Sequence, residues 1–122
     1  MERENFQGYI MALEDSLVQA KRLEYFFKKN RFSYKIFSTA EDAIKVVEIE
    51  KPSLIISDIL MPGMDGYQFC KKVKSNPLTG HIPVILLTSL QDPNDIIRGL
   101  QAGADNFITK PYDERYLHSR IN

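Results

Sequence analysis

Leu54-Ile55-Ile56-Ser57-Asp58-Ile59-Leu60-Met61-Pro62-Gly63-Met64-Asp65-Gly66 is the stretch whose reading decides the fold. Its first residues are apolar without alternation, the habit of a strand buried on both faces in a parallel sheet. A lone carboxylate, Asp58, stands at the C-terminal end of that strand, and Pro62, Gly63 and Gly66 then break the chain into a turn. Ligands of open parallel sheets bind beyond the carboxyl ends of the strands, so Asp58 occupies a place where chemistry is expected. Its bland role would be to cap the next helix, but Asp65 is better placed for that.

Upstream, Tyr9-Ile10-Met11-Ala12-Leu13 reads as a short buried strand running into Glu14-Asp15. Leu17, Ala20, Leu23 and Phe27 then recur at helical spacing as far as Lys29, with Ser16 as N-cap. Tyr34-Lys35-Ile36-Phe37 alternates and reads as an edge strand, and Ser38-Thr39-Ala40-Glu41 matches a capping box. It opens a helix whose inner residues are Ala43, Val46, Val47 and Ile49 and which Pro52 stops.

Downstream, Tyr67–Lys74 is a helix with Phe69 and Val73 inward, and Pro83–Thr88 is an apolar strand. Asp92-Pro93 opens a helix with Ile96, Ile97 and Leu100 as its inner stripe, which Gly103 ends. Asn106–Thr109 is a short strand followed by Lys110-Pro111, and a last helix starts at Tyr112 with Tyr116, Leu117 and Ile121 on one face. Met1–Gln7 reads as a loose polar arm, and Lys71, Lys72 and Lys74 as a solvated helix face. Strands alternating with helices in this way predict an α/β fold: a doubly wound, five-stranded parallel sheet with helices on both faces.

The 122 residues are enough for one domain, 1–122, and not for two. Sixteen basic and sixteen acidic residues leave no net charge, so nothing favours direct nucleic-acid binding or anionic lipid. No apolar run approaches the roughly 20 residues of a membrane helix, and a signal peptide is not apparent. A single cysteine, Cys70, forms no metal-ligand cluster with the two histidines, which makes a cytoplasmic setting the default. The last helix lacks a stop signal at Arg120-Ile121-Asn122, and the domain is expected to continue into a longer chain.

In the expected sheet, Glu14, Asp15, Asp58, Thr88 and Lys110 all fall at strand C-termini and converge on one edge. Like charges about 4 Å apart repel by roughly 4 kcal/mol at an effective dielectric near 20, so three carboxylates there require a positive partner. An all-oxygen cluster suits a hard cation such as magnesium, or manganese. Beside it, Asp58 can act as a nucleophile toward phosphorus, Lys110 can neutralise charge on the transferring oxygens, and Thr88 offers a hydroxyl.

The ordered set of Glu14-Asp15, Asp58 leading into Met61-Pro62-Gly63-Met64-Asp65-Gly66, Thr88-Ser89, Gly103-Ala104-Asp105 and Lys110-Pro111 resembles the receiver domain of two-component response regulators. The resemblance spans nearly the whole chain and implies a flavodoxin-like (βα)5 fold with strand order 2-1-3-4-5. It also implies that Asp58 accepts a phosphoryl group from a histidine kinase or phosphotransfer protein. Glu14, Asp15, Asp58 and the backbone carbonyl of Leu60 would hold magnesium. Glu14, where the family often has Asp, would reach the metal on a longer arm through water. Thr88 and Phe107 would form the switch, and the fourth helix, fifth strand and last helix would carry the signal to an output domain. Phe107 lacks the hydroxyl of a tyrosine, so only ring packing could report the state.

Further implications are a homodimer through that surface, with Asp105 and Arg120 in its ion pairs, and a receiver preceding a sensory or histidine kinase module. Leu60 and Leu90, two residues beyond Asp58 and Thr88, cannot orient an attacking water, so a long-lived acyl phosphate is expected. Three alternatives compete. A magnesium-dependent phosphohydrolase would want a second acid where Leu60 stands. A flavin-binding module would meet repulsion from Glu14-Asp15. A pseudo-receiver would not need the full set of acids and lysine.

Overall fold

The structure, a computed structural model, describes residues 8–89 and 93–121; the expected arm Met1–Gln7, together with Leu90, Asp92 and Asn122, lies outside them. Its elements are β1 (Ile10–Leu13), α1 (Leu17–Lys29), β2 (Tyr34–Phe37), α2 (Ala40–Val47), β3 (Leu54–Asp58), α3 (Gly66–Ser75), β4 (Val84–Thr88), α4 (Pro93–Gln101), β5 (Asn106–Thr109) and α5 (Glu114–Ile121). The strands form one sheet in the order β2-β1-β3-β4-β5, every neighbouring pair parallel. That is the flavodoxin-like order expected from the resemblance.

Alternation along each strand divides the core in two. Met11, Leu13, Ile55, Val84 and Leu86 point to one face and pack with Ala43 and Val47 of α2 and Phe69, Cys70 and Val73 of α3. Ile10, Ala12, Ile56, Ile85 and Leu87 point to the other, against Leu23, Phe26 and Phe27 of α1 and Leu117 of α5. The Cys70 thiol is buried, donates to the Ala102 carbonyl at 3.5 Å, and is pushed up to about 11 by burial.

Register positions the site. Leu13 lies opposite Ser57, so one further step brings Glu14 level with Asp58. Asp58 lies opposite Leu87, and Thr88 opposite Thr109, which sets Lys110 just beyond β4. Asp65 caps α3 in a capping box with Gln68. Gly66 is required by proximity: a Cβ there would sit 2.3 Å from the Asp58 carbonyl oxygen, so only glycine lets α3 start so close behind the strand.

Several sequence expectations are corrected. Leu17 is 74% exposed, and Phe26 takes the buried place instead, beside Phe27 and Phe32. Thr39, not Ser38, caps α2, accepting the Asp42 N–H at 3.1 Å, and the Glu41 carboxylate instead accepts the Met64 N–H at 2.8 Å. Ile49 lies past the end of α2 and is exposed. The α4 stripe is reversed: Ile96, Ile97 and Leu100 face solvent, and only Gly99 is buried. The cause is Phe107, whose ring tip would lie 1.9 Å from a Cβ at Gly99. The last helix begins at Glu114, and Tyr116 is exposed beside buried Leu117. Lys74 is not solvated: its ammonium lies 2.7 Å from Asp105 and 2.7 Å from the Ile82 carbonyl, tying α3 to the start of β5.

Phe69 is fully buried at the centre of the α2–α3 side. Phe69→Ala is expected to cost about 3–5 kcal/mol of folding free energy, read from urea or guanidinium unfolding.

Candidate functional site

Three acids and one amine meet at the C-terminal edge of the sheet. Glu14, the residue after β1, is buried; one carboxylate oxygen accepts the Ser16 N–H at 3.1 Å and the other lies 3.2 Å from the Lys110 ammonium. Asp58, at the end of β3, accepts the Ile59 N–H at 2.9 Å on Oδ1, and the same oxygen lies 3.3 Å from Lys110. Asp15 is exposed at the rim, and Glu14, Asp15 and Asp58 each contribute an oxygen within 4.8 Å of the others.

Lys110 is held by its backbone as well as its amine: its N–H donates to the Thr88 carbonyl at 2.7 Å, and a cis peptide joins it to Pro111. Thr88 itself is buried. Because Leu86 pairs with Phe107 and Thr88 with Thr109, the Phe107 ring lies on the same face of the sheet as Thr88, one step back along the strand and beneath α4. Leu60, two residues beyond Asp58, is 60% exposed.

The electrostatics favour a cation. Three carboxylates against one ammonium leave the cluster net negative. Burial raises the Glu14 carboxyl above its ordinary range; the Ser16 N–H opposes this, Asp58 repulsion adds to it, and Lys110 offsets it. Oxygen donors converging on partly desolvated ground suit a hard divalent ion. The residues present therefore fit a magnesium-type site. Beside Lys110 opens a groove of about 960 Å³ walled by Leu17, Val18, Tyr25, Pro111 and Tyr112.

All five strand-end residues singled out in the sequence, Glu14, Asp15, Asp58, Thr88 and Lys110, are brought to this edge. Two supports escape sequence reasoning. Glu41 holds the Met64 N–H in the loop after Asp58 across 23 positions, and no local pattern signals such a partner. Gly66 reads as a turn-former, whereas its role is the close approach to the Asp58 carbonyl. Asp105, expected in a dimer ion pair, engages Lys74 and accepts the Val84 N–H at 2.8 Å.

Among known families, the response regulator receiver domain matches residues 10–122. The response regulator PleD of Caulobacter vibrioides is 39% identical over 115 residues, covering 92% of this chain and 25% of PleD, so the chain spans a quarter of that relative's length. The signal receiver domain of a signal transduction histidine kinase from Syntrophus aciditrophicus is 42% identical with a TM-score of 0.88, covering 94% of this chain and 87% of that one. The receiver domain of sensor histidine kinase PA1611 from Pseudomonas aeruginosa PAO1, solved with magnesium in its active-site cleft, is 22% identical with a TM-score of 0.87 over 95% of each chain, a likeness of fold.

The raised Glu14 carboxyl has a consequence for stability. In the folded state its ionised form is disfavoured, so ionisation lowers stability above the folded pKa, and the penalty vanishes as pH falls below the unfolded value. In chelator-treated buffer, Glu14→Gln is expected to be more stable than wild type at pH 7, read as a higher melting temperature. The gain should close as pH falls through the carboxylate range in a series of thermal melts.

Proposed function

The chain belongs to the response regulator receiver domain family, and on that premise we propose that Asp58 is the phosphoacceptor of a two-component phosphorelay. The observation that carries this reading is the Lys110 ammonium placed 3.2 Å from Glu14 and 3.3 Å from Asp58, inside a carboxylate cluster that remains net negative.

In the proposed step an Asp58 carboxylate oxygen attacks phosphorus. A P–O bond forms as the P–N bond to a partner's phosphohistidine breaks, and the electron pair returns to the imidazole nitrogen. Lys110 neutralises negative charge on the transferring oxygens, and the Thr88 hydroxyl donates a hydrogen bond to one of them. Glu14, Asp15, Asp58 and the Leu60 carbonyl would hold magnesium or manganese, which supplies the remaining positive charge when bound. The added phosphate draws Thr88 and its loop inward and frees space for the Phe107 ring to turn. Since Phe107 has no hydroxyl, the change is carried by packing alone.

The phosphodonor is a histidine kinase or phosphotransfer protein, and the apolar groove beside Lys110 gives it a place to dock. The domain is a signalling module, not an enzyme. Its output, in cis or in trans, reads the surface of α4, β5 and α5, where Ile96, Ile97 and Leu100 are exposed. Those three aliphatics also favour a homodimer through the same surface as a second reading. The likeness to a histidine kinase receiver at 42% identity favours a parent chain in which a receiver adjoins kinase modules. No helix among the described residues is long and apolar enough to cross a membrane; the phosphorelay reading would put the domain on the cytoplasmic side, where its phosphodonor works.

With a small-molecule phosphodonor and magnesium, intact-mass spectrometry should show one phosphoryl adduct on wild type, none on Asp58→Asn, and none after chelation. An adduct on Asp58→Asn at the wild-type rate would overturn the reading. Lys110→Ala should slow adduct formation by roughly a hundredfold or more. Exposed Leu60 gives no hydrogen bond to an attacking water, so Leu60→Asn is expected to shorten the adduct's lifetime.

A further inference from the structure

α4 is an odd helix: the residues it buries do not explain why it stays where it is. Its large aliphatics face solvent, and the one residue it buries is Gly99. Hydrophobic burial, the usual fastening of a helix to a sheet, is weak here. What the structure offers instead is a polar clamp to the first turn of α3. The Tyr67 hydroxyl, on a side chain 5% exposed, donates to the Asp95 carbonyl at 3.0 Å. The Arg98 guanidinium lies over the Tyr67 ring, 4.5 Å from its centre, and reaches the Asp65 carboxylate at 3.8 Å.

The far end of this clamp is attached to Asp58. Asp65 is the N-cap of α3, and Gly66 donates its N–H to the Ile59 carbonyl at 2.9 Å. Gly66 also packs against the Asp58 carbonyl so closely that a Cβ would not fit. The contacts therefore run unbroken from the Asp58 backbone through Gly66 to Asp65 and Tyr67 within one helical turn, and from them to Arg98 and Asp95 on α4.

We propose that Tyr67 and Arg98 are positioning residues that hold α4 in its resting place and couple it to the Asp58 loop, a second route to α4 besides Thr88 and Phe107. The holding half stands on the contacts alone; the coupling half rests on the reading of Asp58 as phosphoacceptor. The contacts described between α4 and α3, a hydrogen bond, a ring contact and a largely exposed ion pair, yield to smaller displacements than a buried aliphatic stripe would.

The test is amide hydrogen exchange across the whole chain, for wild type, Tyr67→Phe and Arg98→Gln. Tyr67→Phe keeps the ring and its burial, so it spares the fold, and α1 serves as the internal reference. In the unphosphorylated protein, both variants are expected to exchange α4 amides about fivefold faster than wild type with α1 unchanged. Equal α4 exchange in all three overturns the holding role. After treatment with a small-molecule phosphodonor and magnesium, wild-type α4 should loosen while Arg98→Gln, already loose, changes less. Loosening of equal size in both overturns the coupling. Absence of any adduct at Asp58 overturns the coupling together with the reading beneath it, while the result on unphosphorylated protein still decides the holding role.

Discussion

Carboxylates gathered at the end of a sheet repel, and a single ammonium decides whether they can stay. Lys110 stands between Glu14 and Asp58 at nearly equal distances, its backbone pinned to Thr88 and its amine largely withdrawn from solvent. One amine against three acids leaves the site short of positive charge by design of composition. That deficit is what a hard divalent ion would make good. A site fully neutralised by its own side chains would carry no such deficit.

The rest of the molecule makes this juxtaposition reproducible. Parallel pairing with matched register delivers the ends of β1, β3, β4 and β5 to one edge. Two apolar layers hold that sheet rigid from either side. Small residues then let neighbours come close: Gly66 lets α3 begin against the Asp58 carbonyl, and Gly99 makes room for the Phe107 ring. The gathering of acids and lysine at one edge is thus a by-product of strand order, whereas the distances within it depend on glycines and on polar contacts between loops.

Legibility in the sequence followed this division. Uninterrupted apolar runs such as Leu54–Ile56 and Val84–Leu87 announced a parallel sheet, and strand-end position announced the acids and the lysine. The exposure of Leu17 and of Ile96, Ile97 and Leu100 was not legible, because periodicity says that a helix has an apolar side and not what that side meets. The pattern was read as a core stripe where the core had already been filled by Phe26 and Phe107. Lys74 misled for the opposite reason: a cluster of lysines looks solvated, and only the fold brings Asp105 and the Ile82 carbonyl to one of them. Thr39 and Glu41 show the same limit at short range, since a capping-box pattern cannot reveal that its acid is committed elsewhere.

The ion pair between Glu14 and Lys110 joins residues 96 positions apart. Chains emerge from the ribosome N-terminus first, while a domain folds as a unit. A nascent chain exposed only as far as α4 already carries all of its clustered acids and none of the amine that reconciles them. The contacts that set Lys110 between Glu14 and Asp58 therefore wait on the last strand pairing with β4, the final step of the sheet.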